Sequence, residues 1–276
     1  MTLTRVGARI WELKKAAPHS YSHEARHSAS LEHTMLVSSL LIHTWSMAML
    51  EDRVADARRN AAPALKALAK KAKLPHPIPR IYLRAHKLER ELEVWGAEPG
   101  IGNSFVLVKT YPIAAMSGTL GPKRKEGDKQ APEGLYFVDR FNPQSSFHLS
   151  LGINYPNASD KILSDPKKPG GDIFIHGRQV SIGCLAMTDP AIEEIYLMAL
   201  DAIKAGQRRV RVEIFPFQMT SQKLREEEKK RPELAVFWRN LARFWQAFEA
   251  NGFPARYSVD EAGRYEMAAG YFGRSR

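Results

Sequence analysis

Residues 170–189 read GGDIFIHGRQVSIGCLAMTD, and this stretch organises the interpretation of the whole chain. Its first half is apolar and β-branched, which predicts a strand that ends at His176. A glycine-containing turn follows and leads to Cys184, the single cysteine of the chain. Asp189 and Pro190 then predict a helix start, because a short acceptor side chain caps free amides and proline suits the first turn.

A histidine and a thiol in one glycine-rich stretch indicate thiol chemistry. Cysteine attacks carbonyl carbon as thiolate, and an imidazole at His176 could take the proton of Cys184. The amides of Gly183 and Cys184 would then face the oxyanion, with the helix start favouring negative charge. The alternative is an inert, buried cysteine beside a structural histidine.

Outward from this stretch, alternation of apolar and polar residues predicts a mostly β domain. Two strands joined by a tight turn are expected at residues 81–85 and 91–95. Further strands are expected at residues 105–111, 135–138, 147–152, 172–176 and 209–215.

Helical spacing and loop composition complete the fold prediction. Alanine-rich residues 51–72 predict a helix, residues 189–206 a second one, and the aromatic stripe of residues 234–248 a third that serves packing. Residues 116–134 and 154–171 are rich in Gly, Pro and charge and are expected to be exposed loops, whose length suggests a functional role.

The motif resembles the active-site signature of YkuD-type L,D-transpeptidase catalytic domains, and within them the YafK-like branch of murein enzymes. The likeness rests on Ile175-His-Gly, Val180-Ser-Ile-Gly-Cys and Ala186-Met-Thr-Asp. It extends over about residues 78–265, through the opening hairpin, Pro132-Glu-Gly and the run FHLSLGINYPN at residues 147–157. It implies an α+β, mostly β, sandwich or barrel with helices packed after the Cys motif.

The resemblance also implies roles for single residues. Cys184 would be the nucleophile and His176 the general base, and the carbonyl of Gly177 would orient the imidazole. Ser181 would brace the turn, and Gly183 would support the oxyanion.

One departure from the family pattern concerns the residue two positions before the cysteine. Most of the family has a second histidine there, whereas this chain has Ile182. His148 is our candidate for its supporting role, and a structural histidine is the alternative. We assign His148 and Arg178 to substrate binding.

The front of the chain predicts a secretory leader. Residues 34–50 are uncharged and too short for a confident membrane span, and Ser46-Met-Ala48 fits the small-residue cleavage pattern. The alternatives are an uncleaved anchor, which would supply the only membrane contact, an amphipathic helix buried in the fold, or a start at Met35. The predicted organisation is a leader at 1–48, a helical extension at 49–77 and a catalytic domain at 78–276, in a periplasmic protein.

The composition of the chain limits the kinds of partner that it can bind. The chain of 276 residues carries a net charge of +11, which favours anionic partners, yet no nucleic-acid-binding module or basic aromatic patch occurs. A lone cysteine excludes an internal disulfide or a CxxC metal site, and His19, His23 and His27 in the leader are a weak metal signal. We therefore expect no metal, no organic cofactor and no nucleic acid.

Together these observations predict an L,D-transpeptidase that acts on peptidoglycan stem peptides through a thioester. Two alternatives stay open. One is a hydrolase of the same branch that releases murein-bound lipoprotein, and the other is an inactive murein-binding module.

Overall fold

The computed structural model describes residues 53–100 and 103–268. The predicted leader, its cleavage site and its three histidines lie outside these residues. Among the helices of the described ranges, none combines the length and the apolar character needed to cross a bilayer.

Seven of the ten strands in the described ranges lie where the alternation predicted them, whereas the short strand after Cys184 and the two strands after residue 256 were not predicted. The strands are β1 (Arg80–His86), β2 (Glu91–Ala97), β3 (Val106–Pro112), β4 (Gly134–Asn142), β5 (Ser150–Ile153), β6 (Phe174–His176), β7 (Leu185–Ala186), β8 (Arg211–Phe215), β9 (Tyr257–Val259) and β10 (Tyr265–Met267). The first eight form one sheet in the order β3-β2-β1-β8-β4-β5-β6-β7, and β9 pairs with β10.

The two edges of the large sheet meet next to the Cys motif. Three residues after the end of β3, Ala115 forms an antiparallel bridge with Ala186 of β7. The amide of Ala186 donates to Ala115 O at 2.9 Å, and the amide of Ala114 donates to Ala186 O at 2.8 Å. The sheet therefore curls until its first and last strands are joined, which agrees with the expected barrel-like fold.

The helices flank this sheet. They are α1 (residues 53–72), α2 (Ala158–Leu163), α3 (Asp189–Lys204), α4 (Ser221–Lys230) and α5 (Ala235–Asn251). The prediction of an α+β, mostly β fold with helices after the Cys motif is confirmed. The aromatic stripe of α5 packs as expected, with Leu241, Phe244 and Phe248 buried.

Helix α1 shares the main hydrophobic core with the sheet. Ala57, Ala61, Leu65 and Ala69 recur every four residues on one face and are all buried in the cluster that contains β1, β8 and α3. The helical extension predicted for residues 49–77 thus includes a helix that packs into the same core as the sheet.

Three local predictions differ from the structure. The expected loop at residues 154–171 contains α2, because Asn157 and Asp160 form a reciprocal capping box that starts a helix there. The cap of α3 is Thr188, whose hydroxyl accepts from Ala191 N, whereas Asp189 is the first helical residue. His148 precedes β5 with a φ of +70°, which a strand does not tolerate.

A buried ion pair anchors the loop that runs from β3 to β4. Lys87 Nζ lies 3.0 Å from Glu133 Oε1, and the two side chains are 1% and 0% exposed. Lys87 also donates to the carbonyls of Gly121 and Ala131, and Trp238 Nε1 donates to Glu133 Oε2. Burial lowers the pKa of Lys87, and the Glu133 carboxylate opposes that shift.

We expect Glu133→Ala to lower the free energy of unfolding by about 3–5 kcal/mol, because it leaves the Lys87 ammonium buried without its counter-charge. Urea denaturation measures this change. The exposed Glu261→Ala is the control and should change the free energy by no more than about 0.5 kcal/mol. A loss below about 1 kcal/mol in Glu133→Ala would show that the pair is not needed.

Candidate active site

The pairing of β6 with β7 brings the predicted histidine and cysteine onto neighbouring strands. The strands are parallel, with Ile175 opposite Leu185 and His176 opposite Ala186. Cys184 immediately precedes β7, and the backbone amide of Phe174 lies 3.4 Å from its sulfur. Both residues of the proposed pair thus lie at the closed edge of the sheet.

His176 is held in one tautomer. Its Nδ1 lies 2.6 Å from the carbonyl oxygen of Gly177. Because a carbonyl only accepts, Nδ1 carries the proton and Nε2 keeps its lone pair. Burial lowers the pKa of His176, with the bond to Gly177 opposing that effect, so the ring is neutral at pH 7 and can act as a base.

The turn after His176 requires glycine. A Cβ on Gly177 would lie 2.6 Å from Asp189 Oδ1 and 2.8 Å from the carbonyl oxygen of Phe147. The next residue, Arg178, has a φ of +60°, and its amide donates to Asp189 Oδ1 at 2.8 Å. The first residue of α3 therefore fixes the turn whose carbonyl holds the imidazole.

Cys184 is half-buried in this structure. Its thiol lies 3.8 Å from the carbonyl oxygen of Asp172, and its hydrogen-bond partners within the described residues do not include His176. Burial raises the pKa of Cys184, while the amide of Phe174 opposes that effect. This differs from an activated thiolate, because the desolvation of the sulfur outweighs the local dipoles.

The two amides expected to face an oxyanion already have acceptors. Ser181 Oγ accepts from Cys184 N at 2.9 Å and donates to Cys184 O at 2.7 Å. Ser117 Oγ accepts from Gly183 N at 2.7 Å. Ser181 thus occupies a position that braces the turn, and an incoming oxyanion would have to replace at least one hydroxyl to bind these amides.

The two residues assigned to substrate binding both lie at the turn that follows His176. His148 Nε2 lies 2.8 Å from Glu193 Oε1, and its Cβ lies beside the Gly177 turn. Arg178 is exposed on the turn itself. Ile182, which replaces the second histidine of the family pattern, is 76% exposed.

Sequence reasoning missed two residues that contact the site. Phe147 places its ring 4.7 Å from that of His176, tilted by 38°. Ser117 reaches Gly183 from the loop between β3 and β4. The length of that loop suggested a function, but no local pattern specified which of its residues would reach the turn.

A second cluster resembles a metal site and is better explained as structural. Ligand atoms of His86, Glu91 and Glu93 lie within 4.8 Å of one another. Both ring nitrogens of His86 are used, since Nδ1 lies 3.1 Å from Glu91 and Nε2 accepts from Trp245 Nε1. Burial, together with the nearby Arg84 and Lys223, lowers the pKa of His86 to about 3, so this environment disfavours positive charge.

The fold and the motif together are those of the L,D-transpeptidase catalytic-domain class. Residues 102–214 match the YkuD family, described as the L,D-transpeptidase catalytic domain. The chain is 36% identical to the Escherichia coli K12 protein "Putative L,D-transpeptidase YafK" over 190 residues, which cover 68% of this chain and 74% of that protein. The chain therefore belongs to the L,D-transpeptidase family.

Solved structures give more distant likenesses. The helical cell shape determining protein Pgp2 from Campylobacter jejuni is similar with a TM-score of 0.39 and 18% identity, covering 67% of this chain and 77% of that one. Bd1075 from Bdellovibrio bacteriovorus is similar with a TM-score of 0.38 and 23% identity, covering 60% of this chain and 58% of that one.

The raised pKa of Cys184 predicts slow alkylation at neutral pH. The rate constant for iodoacetamide should rise with a midpoint above the value of about 8.5 of a free cysteine. Mass spectrometry across pH measures this rate. In Asp172→Asn the midpoint should fall, because the Asp172 carboxylate raises the pKa of the thiol. A wild-type midpoint below 8.5 would indicate a preformed thiolate instead.

Proposed function

We propose that the chain is a cysteine-dependent L,D-transpeptidase acting on peptidoglycan stem peptides, with Cys184 as nucleophile and His176 as general base. The observation that carries the proposal is the pairing of β6 with β7, which puts a neutral imidazole of fixed tautomer on the strand beside the thiol. Family membership supports the same reaction class.

The first half of the reaction forms a thioester. His176 Nε2 takes the thiol proton as the sulfur of Cys184 attacks the carbonyl carbon of the diamino acid at position 3 of the stem. The C–S bond forms as the carbonyl π-bond opens. The imidazolium then protonates the leaving amine, the C–N bond breaks, and the carbonyl is restored as an acyl-enzyme.

The resting state fits general-base catalysis better than a preformed ion pair. Burial lowers the pKa of His176 and raises that of Cys184, so both groups are neutral before substrate arrives. The proton would therefore move during attack. The oxyanion would take the amide of Gly183 or Cys184 from the serine hydroxyls that accept from them.

The second half of the reaction determines which of two activities results. Attack by an acceptor amine on the thioester, with His176 taking its proton, gives a cross-link or attaches a protein. Attack by water gives hydrolysis, and where the leaving amine was the lysine of a murein-bound lipoprotein, the product is free lipoprotein. Both activities use the same acyl-enzyme, so the choice depends on the acceptor that reaches it.

A murein-binding module without chemistry is the second candidate. The observation in its favour is Ile182, which stands in place of the family's second histidine and is largely exposed. In the active alternative, His148 stays the candidate for that histidine's support. Its contact with Glu193 on α3 and its position beside the Gly177 turn would let it act through the turn.

We expect a carbapenem to acylate Cys184 and add its mass to the protein. The strained carbonyl of the carbapenem ring reacts readily with a competent nucleophile, so the adduct tests the nucleophile directly. Cys184→Ala should give no adduct, and His176→Ala should slow acylation by about 10²–10⁴-fold at pH 7. Intact-mass spectrometry measures the adduct. Absence of an adduct in the wild-type protein would favour the binding module.

Purified protein incubated with muropeptides separates the two activities. New cross-linked peptides support transpeptidation, and released acceptor without cross-links supports hydrolysis. Cys184→Ala is the matched control and should give neither product. The wild-type protein giving neither would argue against both activities.

We propose that the protein works outside the cytoplasm, where peptidoglycan lies. The uncharged run and Ser46-Met-Ala48 support this location. A β-lactamase reporter fused after residue 276 should confer ampicillin resistance on single cells. Deletion of residues 34–48 is the control and should abolish resistance, whereas a cytoplasmic full-length fusion would contradict export.

A further inference from the structure

We propose that helix α1 contributes to the active site, because Arg53 holds residues 143–148 in the conformation that keeps the ring of Phe147 against that of His176. Arg53 is in this view a positioning residue. The inference rests on the proposed function of His176. It also involves a helix outside residues 102–214, which match the family.

Arg53 contacts the loop through one nitrogen that bonds to three carbonyl oxygens. Its Nη1 donates to the carbonyl oxygens of Pro143 at 3.0 Å, Ser145 at 2.9 Å and His148 at 2.8 Å. Three carbonyl dipoles that converge on one point repel each other unless a cation lies between them. Hydrogen bonds to charged groups are also the stronger ones, so the guanidinium fixes the loop on both sides of Phe147.

The position of the Phe147 ring depends on the loop conformation, because the side chain is only partly buried. Phe147 is 40% exposed, and its amide is held by Ser145 Oγ at 3.0 Å. Next to it, His148 adopts a φ of +70° and bonds to Glu193. The loop conformation, rather than burial in the core, therefore directs the ring of Phe147 onto the imidazole.

The ring of Phe147 covers one face of the proposed base. His176 is only 3% exposed, and water at that face would stabilise the imidazolium. The charged and titratable groups around it are already engaged. Asp189 at the Gly177 turn accepts from Arg178 N, Glu193 pairs with His148, and Cys184 immediately precedes β7, the strand paired with β6.

Helix α1 is itself firmly placed, so Arg53 can act as a fixed point. Arg58, five residues further along, forms a bidentate ion pair with Asp201 of α3 at 3.0 and 2.6 Å. Asn60 Nδ2 lies 3.5 Å from Glu193 Oε1, the carboxylate that pairs with His148. The same helix thus contacts the loop directly and through α3.

Carbapenem acylation of Cys184 in the full chain, followed from pH 5 to 8.5, tests the inference. In Arg53→Met and Phe147→Ala, hydration of His176 should lower the ratio of the rates at pH 6 and pH 8 by about threefold or more. Arg53→Lys keeps a cation with three donors and should restore most of the ratio. Lys66→Met removes an exposed cation of the same helix and should leave the ratio unchanged.

Histidine NMR in the same variants measures the pKa of His176 without requiring any reaction. Circular dichroism confirms that each variant is folded. A higher pKa of His176 in Arg53→Met and Phe147→Ala, but not in Lys66→Met, supports the inference even where no acylation occurs. An unchanged titration in Arg53→Met overturns the role of Arg53. An unchanged titration in Phe147→Ala overturns the cover itself.

Discussion

The parallel pairing of β6 with β7 is the constraint on which the site depends. Parallel strands are usually connected by a crossover of a dozen or more residues, often a helix, whereas here residues 177–184 make the connection alone. Because this connection is so short, few backbone conformations can make it. Gly177 has no space for a side chain, Arg178 has a φ of +60° and Gly183 one of +92°. The geometry of His176 and Cys184 follows from this one connection.

The strands and the longer helices could be predicted from sequence, because alternation and helical spacing express which face is buried. The β1–β2 hairpin and α5 are clear cases. Short elements were less predictable. Helix α2 depends on the reciprocal contact of Asn157 with Asp160, and helix α4 is so polar that its buried face gives a weak signal.

The proposed reacting groups of the candidate site were named from sequence, whereas the residues around them could not be predicted. His176 and Cys184 lie in one stretch and carry recognisable chemistry. Phe147, Ser117 and Arg53 reach the site from separate parts of the chain, and only the folded sheet brings them together. The raised pKa of the Cys184 thiol could not be predicted either, since it depends on how much water the fold leaves around the sulfur.

The joining of the sheet edges at Ala115 and Ala186 limits how a peptide can be recognised. Many proteins that bind extended peptides add them as a further strand to an open edge, so that main-chain bonds provide affinity with little regard to sequence. Here the backbone groups of Ala186 are already engaged beside the thiol. A peptide could therefore not add to the sheet as a strand at Ala186, and at this point its side chains and stereocentres would matter more to recognition than its main chain.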